Sequence, residues 1–271
     1  MMLKLHFLDE IFLNLNLNLN LILELGLNIR KLKKIKQMKK YLFLLGLIGF
    51  SFFAKAQEIT GEQLLDKAIA YHDPNGNWKN FEGGLNVTFT DPKGKERLSK
   101  VYIDFPANFF SLLSFNDDKR IQSTVKNDNC RYTIDGDTTV TEADKEKYRL
   151  KCDRTKMMKN YYTYLYGLPM KLKDKGTIID PKVVTKKFKG KEYLVLKATY
   201  EAAVGEDTWY FYFDPKTYAM EVYQFFHDES KNDGEYILLK GEKIISGIKM
   251  PKNRTWYYNK EDKLLGTDSL N

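Results

Sequence analysis

The chain has 271 residues, with 44 Lys and Arg against 36 Asp and Glu, a formal net charge of +8. Nine of the basic residues and three of the acidic ones precede Gln57, which leaves 35 against 33, or +2, for the remainder. The basicity is therefore concentrated in the leading segment and gives no argument for nucleic acid, for which no motif is present either.

The first 56 residues read as material outside the folded protein. Met38-Lys39-Lys40 is a basic start, Tyr41 to Phe53 is an apolar run, and Ala54-Lys55-Ala56 is a small-x-small cleavage site before Gln57. This is the pattern of a secretory signal peptide, with cleavage between Ala56 and Gln57 and a periplasmic or secreted product. The apolar run is 13 residues long, short of the roughly 20 that a membrane span needs. No cysteine stands at the end of this run, where a lipoprotein cleavage site would need one. Residues 1–37 precede a complete signal that has its own methionine. They carry a Leu/Asn alternation from Leu13 to Asn20 and read as a mis-called upstream extension. Residues 57–271 then fit one domain with an ample core.

Thr60-Gly61-Glu62-Gln63 is a capping box, and Leu64, Leu65, Ala68, Ile69 and His72 follow on one helical face. The spacing predicts an N-terminal helix packed on a sheet. Asp73-x-Asn75-x-Asn77 begins like a calcium loop, but Trp78 stands where glycine is needed and Gly84 where glutamate is needed. The segment reads instead as a helix stop and turn, with Trp78 packed into the core.

From Phe81 the chain reads as a meander with strands at Gly84–Thr90, Leu98–Phe105, Asn108–Phe115, Ile121–Lys126, Arg131–Ile134 and Thr138–Val140. Asp91-Pro92-Lys93-Gly94 and Asp135-Gly136 mark turns. Glu142–Leu150 reads as a short charged helix or a loop. Asp153 is a candidate cap for a second helix, on which Met157, Tyr161, Leu165 and Leu168 share a face, with Met158, Tyr162 and Tyr166 beside it. Such a stripe is core in the plain reading. Methionine also suits a lid over an irregular apolar ligand. Cys130 and Cys152 flank the passage from strands to helix, and in an oxidising compartment a bridge between them is expected; the alternative is two buried thiols.

Strands resume at Val183–Phe188, Tyr193–Tyr200, Tyr236–Ile245 and Arg254–Asn259, and Leu264–Asn271 is an edge strand or a frayed tail. Between them lies the most distinctive stretch, Trp209 to His227. Five consecutive aromatics, Trp209 to Phe213, meet Asp214-Pro215-Lys216-Thr217 and a second β-prone run to Phe226. Proline at i+1 and aspartate at i favour a type I turn, so this is a hairpin. The first run does not alternate, so both of its faces should be covered. Trp209, Phe211 and Phe213 are expected inward, with Met220, Val222 and Phe226 from the returning strand. Tyr210, Tyr212, Glu221 and Tyr223 are expected outward.

Ala68 to Pro74, Tyr164 to Pro169, Trp209 to Tyr218 and Gly247 to Pro251 together resemble a family of exported Gram-negative bacterial proteins of unknown function. That family is similar to the periplasmic lipoprotein carriers (LolA-like) and their outer-membrane receptors (LolB-like). The resemblance covers most of residues 58–265. It implies an α+β, mainly antiparallel fold: a curved incomplete β-barrel with an N-terminal helix, a helical lid, and an apolar cavity between sheet and lid. It further implies a monomeric carrier of an acyl chain, lipid or lipidated protein, with an outer-membrane or lipoprotein partner. The expected ligand wall is Trp209, Phe211, Phe213, Met220, Val222 and Phe226, faced from the lid by Met157, Tyr161, Leu165 and Leu168. No acyl-binding residue of the carriers transfers to a position here.

Residues 57–271 contain two histidines, His72 and His227, each followed by aspartate. Neither has a metal-ligand spacing, no Gly-x-Ser-x-Gly elbow is present, and no cofactor motif appears. Three functions stand open: a binder of an apolar ligand, an interaction module with a filled aromatic core, and a hydrolase if the two histidines converge.

Overall fold

The computed structural model describes residues 18, 21, 23–40, 58–116 and 118–271. The apolar run, the cleavage site and all of the Leu/Asn alternation except Asn18 lie outside the described residues. The chain divides into two units, Met1–Glu58 and Ile59–Asn271. In the first, residues 23–40 are helical. Among the described residues no helix is long and apolar enough to cross a membrane.

The second unit is one antiparallel sheet of thirteen strands with helices against it. The strands are β1 Glu82–Thr90, β2 Glu96–Asp104, β3 Phe109–Asn116, β4 Lys119–Lys126, β5 Asn129–Ile134, β6 Thr177–Ile179 and β7 Val184–Phe188. They continue with β8 Lys191–Tyr200, β9 Thr208–Phe213, β10 Met220–Phe226, β11 Glu235–Ile245, β12 Ile248–Tyr258 and β13 Leu264–Leu270. The helices are α1 Gly61–His72, α2 Glu142–Lys147 and α3 Cys152–Gly167. The strand order is β5-β4-β3-β2-β1-β13-β12-β11-β10-β9-β8-β6, with β7 also on β8; the two ends do not pair, so the sheet is open.

The sheet is strongly curved, and α3 proves it. Cys152 at its start is bonded to Cys130 of β5, while Tyr164 near its end packs on Trp209 of β9 with ring centroids 5.5 Å apart. The helix advances only about 18 Å between those residues. In the sheet β5 and β9 are nine strand spacings apart, which is about 43 Å if flat. One helix can touch both only if the sheet curls around it. The result is an incomplete barrel with α1 and α3 on its concave face, where a single apolar cluster joins both helices to strands from β1 to β13.

Several expectations need correction. Thr138–Val140 is not a strand; after β5 only Ile134 and Asp137 form an isolated bridge. Thr177–Ile179 is a strand that three residues were too few to signal. The strand expected from Arg254 starts earlier, at Ile248, and includes Pro251. This proline pairs with Glu242 of β11 but lies beyond the ladder with β13, which begins at Asn253. Its missing N–H therefore costs no ladder bond. Finally, the C-terminal segment is neither an edge nor a tail. As β13 it sits between β1 and β12, so the last strand closes the gap between the two halves of the meander.

The capping box forms as expected: Thr60 accepts from the Gln63 amide at 3.3 Å, and the Gln63 side chain accepts from the Thr60 amide at 3.0 Å. Leu64, Leu65, Ala68 and His72 are buried. Asp73 accepts from the amides of Asn77 and Trp78, each at 2.8 Å, and Trp78 is packed in the core. The turn is thus held by a carboxylate bonded to backbone. Among the described residues no cluster of His, Cys, Asp and Glu could hold a metal ion.

Candidate functional site in the cleft beneath the lid helix

The aromatic hairpin folds as expected at its turn, where Asp214 accepts from the amides of Lys216 and Thr217, each at 2.9 Å. Both faces of β9 are covered. Phe211 and Phe213 are fully buried on the concave side, with Trp209 packed beside them. Tyr212 belongs to a second cluster with Tyr193, Val195 and Val222 on the opposite side, packed by Phe188, Tyr210 and Leu238.

The returning strand corrects the expected faces. The β9–β10 register shifts between Met220 and Val222. An extra residue in one strand reverses the facing of everything after it. Met220 is therefore concave, but so are Tyr223 and Phe225. Val222 lies with Tyr212, and Phe226 with Tyr210 at 6.0 Å. On the concave side Trp209 stacks on Phe225 at 4.8 Å and meets Tyr164 of α3. The aromatics fill the space between sheet and helix, and none of the six expected wall residues lines the cleft described below.

The helix stripe is rotated as well. Thr155, Tyr162, Thr163, Leu165 and Tyr166 are buried, whereas Met157 is 53 % and Tyr161 41 % exposed. Asp153 does not cap: Lys151 occupies the N-cap position without a side-chain bond. The bridge to Cys130 and the Lys156–Asp128 ion pair, 3.2 Å, hold this end instead. At the other end Arg254 of β12, almost wholly buried, donates to the Leu165 carbonyl at 2.9 Å and lies 3.9 Å over the Tyr166 ring. Gly167 abuts Trp78 so closely that a Cβ would lie 2.2 Å from the indole. The helix is pinned at both ends, and Leu165 and Leu168 are buried there.

Between those pins Met157, Met158, Tyr161 and Tyr162 roof a cleft of about 1130 Å³. Its floor is β1–β4, and residues 147–150 form its outer wall. The floor explains why space remains. Ile103, Phe110 and Val125 face one another across β2, β3 and β4 and are all buried; Phe110 packs against Tyr162. Next along the strands come Val101, Leu112 and Ser123, then Ser99, Ser114 and Ile121. Serine takes one of the three inward positions in the second row and two in the third, so less of the space up to the helix is filled and a gap opens. A smaller space of about 270 Å³ continues toward Trp256 and Leu265 and shares Phe89, Arg97, Tyr161 and Asp268 with the cleft. Asp268 accepts from Trp256 Nε1 at 2.8 Å, and burial raises its carboxyl above the usual range. Desolvation likewise raises the Tyr161 hydroxyl well above an ordinary tyrosine. The sequence signal for this site was the run of inward serines, which a reading by apolar strands passes over.

The two histidines do not converge. His72 Nδ1 donates to the Lys249 carbonyl at 2.8 Å, and its Nε2 accepts from the Met220 amide at 3.0 Å. The ring ties α1 to β10 and β12 as a neutral tautomer, and burial lowers its pKa below the ordinary 6.5. His227 lies beyond the other end of β10, about 23 Å away along the strand, exposed and 2.6 Å from Asp207, which raises its pKa. Their effects on stability have opposite signs. The buried ring binds a proton more readily when unfolded, so stability is full above about pH 6.5 and falls as pH drops toward the folded value. The His227 contribution is present below that pH and lost as pH rises, but at an exposed site it is small. Chemical denaturation at about pH 7.5 and about pH 5.5 should show lower stability in acid, and His72→Gln should flatten that dependence; an unchanged slope in the variant would contradict the tautomer assignment.

The family model of DUF6503, a family of unknown function, matches residues 38–271. The chain belongs to that family, in keeping with the resemblance read from its motifs. No curated protein matches it significantly. Among solved structures it is similar to a LolA superfamily protein from Nitrosomonas europaea, with a TM-score of 0.45 and 10% identity over 79% of this chain and 92% of that one. It is also similar to a domain assigned to outer membrane lipoprotein sorting from Vibrio parahaemolyticus (TM-score 0.42, 8% identity, 78% and 89% covered). A third is a DUF1329 family protein from Desulfovibrio piger (TM-score 0.41, 9% identity, 79% and 92% covered).

Proposed function

We propose that this DUF6503 member is an exported, non-enzymatic binding protein that holds an apolar chain, such as an acyl chain, lipid or lipidated protein, in the cleft between β1–β4 and α3. The observation that carries this reading is the cleft itself: about 1130 Å³, roofed by half-exposed Met157 and Tyr161 on a helix fixed at both ends. Large apolar side chains left exposed into a concavity favour an apolar occupant, and methionine adapts to chains of different shape. About ten buried methylenes would contribute roughly 8 kcal/mol before immobilisation costs, so affinity should be no tighter than about 1 μM. That suits a carrier that releases its load to a membrane or lipoprotein partner.

Export belongs to the same reading. Met38 begins a signal pattern that ends at Ala56, and the family match also begins at Met38. The intact mass of the exported protein should correspond to a chain starting at Gln57; retention of Met38 or Met1 would count against it.

Ser114→Trp tests the cleft. Indole in place of a hydroxymethyl on the floor should fill part of the cleft while the circular dichroism spectrum stays that of the native fold. Titration of delipidated protein with a fluorescent fatty acid should saturate for the wild type and weaken at least about tenfold in the variant, a change of roughly 1.4 kcal/mol. No saturable binding by the wild type would leave the interaction module with a filled core as the better description.

A further inference from the structure

The cleft lining mixes apolar side chains, among them Leu112, Ile121, Leu150 and Met158, with serines and charged groups. Lys95, Arg97, Lys147, Arg149 and Arg154 line it against only two carboxylates, Glu96 and Asp268. Asp268 is deep, bonded to Trp256 Nε1, and raised by burial toward its neutral form. Arg97 lies over the Phe89 ring at 5.2 Å. Arg149 and Arg154, both exposed, form no ion pair with any acid among the described residues. Arg154 stands one residue from Thr155 in the first turn of α3, and Arg149 precedes Leu150, whose buried side chain forms part of the apolar wall. Two exposed arginines therefore line the cleft next to the buried Leu150 and Thr155.

We infer that the occupant is an amphiphile with an anionic head group, a carboxylate or phosphate, held by Arg149 and Arg154 at the mouth while its chain lies on Leu112, Ile121 and Met158. This rests on the cleft reading above and specifies its ligand. The chemistry fits both ends. Arginine presents paired N–H donors that match carboxylate and phosphate oxygens. A head group at the mouth keeps its charge partly hydrated, so it avoids the cost of burying an ion. An anion drawn to the mouth arrives with its chain beside Leu112 and Ile121 of the floor. Salt should weaken the attraction, because charges at an exposed mouth are screened over about 8 Å at physiological ionic strength.

Displacement of the neutral apolar dye N-phenyl-1-naphthylamine from the delipidated protein separates this inference from the cleft reading. Dodecanoate and dodecanol share a chain and differ in charge. At low salt dodecanoate should displace the dye at about tenfold lower concentration than dodecanol, as expected of two favourable contacts with an anion. The Arg149→Gln/Arg154→Gln double variant should lose that preference and keep its affinity for dodecanol. Inorganic phosphate, which has charge without a chain, should displace nothing. Equal displacement by acid and alcohol, or a preference retained in the double variant, would overturn the anionic head group while leaving the cleft reading intact. Displacement by phosphate would reveal an ion site unconnected with a chain and also overturn it. A dye that neither binds nor is displaced would remove both readings together.

Discussion

Phe211→Ala should destabilise the fold by about 3–5 kcal/mol, the range for deleting a fully buried phenyl ring. Phe211 has no exposed surface, sits on the concave side of β9, and packs against Trp209 and Tyr223 at centroid distances of 6.0 and 6.5 Å. It is separated from solvent by the helices, so the void cannot be relieved from outside. Urea denaturation of wild type and variant measures the loss. A second readout tells core from binding wall: Phe211→Leu, which keeps most of the apolar volume, should leave fatty-acid affinity within about twofold, below roughly 0.5 kcal/mol. A loss under about 1 kcal/mol for the alanine variant, or a collapse of affinity in the leucine variant, would place the ligand at the hairpin after all.

Removing the Cys130–Cys152 bridge is the second large perturbation. It closes a loop with a sequence separation of 22, for which the chain-entropy model gives about 3 kcal/mol. The effect should be local as well as global, because the bridge ties the start of α3 to the edge strand β5, beside the exposed Lys156–Asp128 ion pair and the buried Thr155. Arg254 and the Gly167–Trp78 packing would still hold the far end. In Cys130→Ser/Cys152→Ser, amide exchange should therefore accelerate most over residues 152–160 and least near Leu165. The denaturation midpoint should fall by an amount matching about 3 kcal/mol. Uniform acceleration along α3, or unchanged stability, would show that the bridge does not anchor the lid.

Local chemistry made much of this fold legible. The capping box of Thr60 and Gln63, the turn at Asp214 and the two-sided cover of Trp209–Phe213 all follow from interactions within a few residues or from strict strand periodicity. What escaped depends on distant partners. The bulge between Met220 and Val222 reverses a face, and nothing in Met-Glu-Val announces where an extra residue will be absorbed. The α3 stripe contains apolar residues around most of its circumference, so periodicity alone could not choose between Tyr162 and Tyr161 as the buried side; curvature of the sheet chose. Leu264–Leu270 gained its central position from pairing with β1, some 180 residues earlier. The expected cavity wall at the hairpin is filled for a related reason. A dense aromatic run invites a binding role, but large rings in register fill space. The space remains where Ser99, Ser114 and Ser123 fail to fill it.

The central claim is that an apolar chain lies between the serine-bearing floor of β2–β4 and the Met157–Tyr162 roof. Photo-crosslinking with a fatty acid carrying a diazirine in its chain, followed by peptide mass spectrometry, reads the contact residues directly. The account predicts adducts on peptides containing Leu112, Met157, Met158 and Tyr161, abolished by Ser114→Trp. Adducts concentrated on Trp209 to Phe226, or labelling that excess unlabelled fatty acid does not suppress, would contradict it.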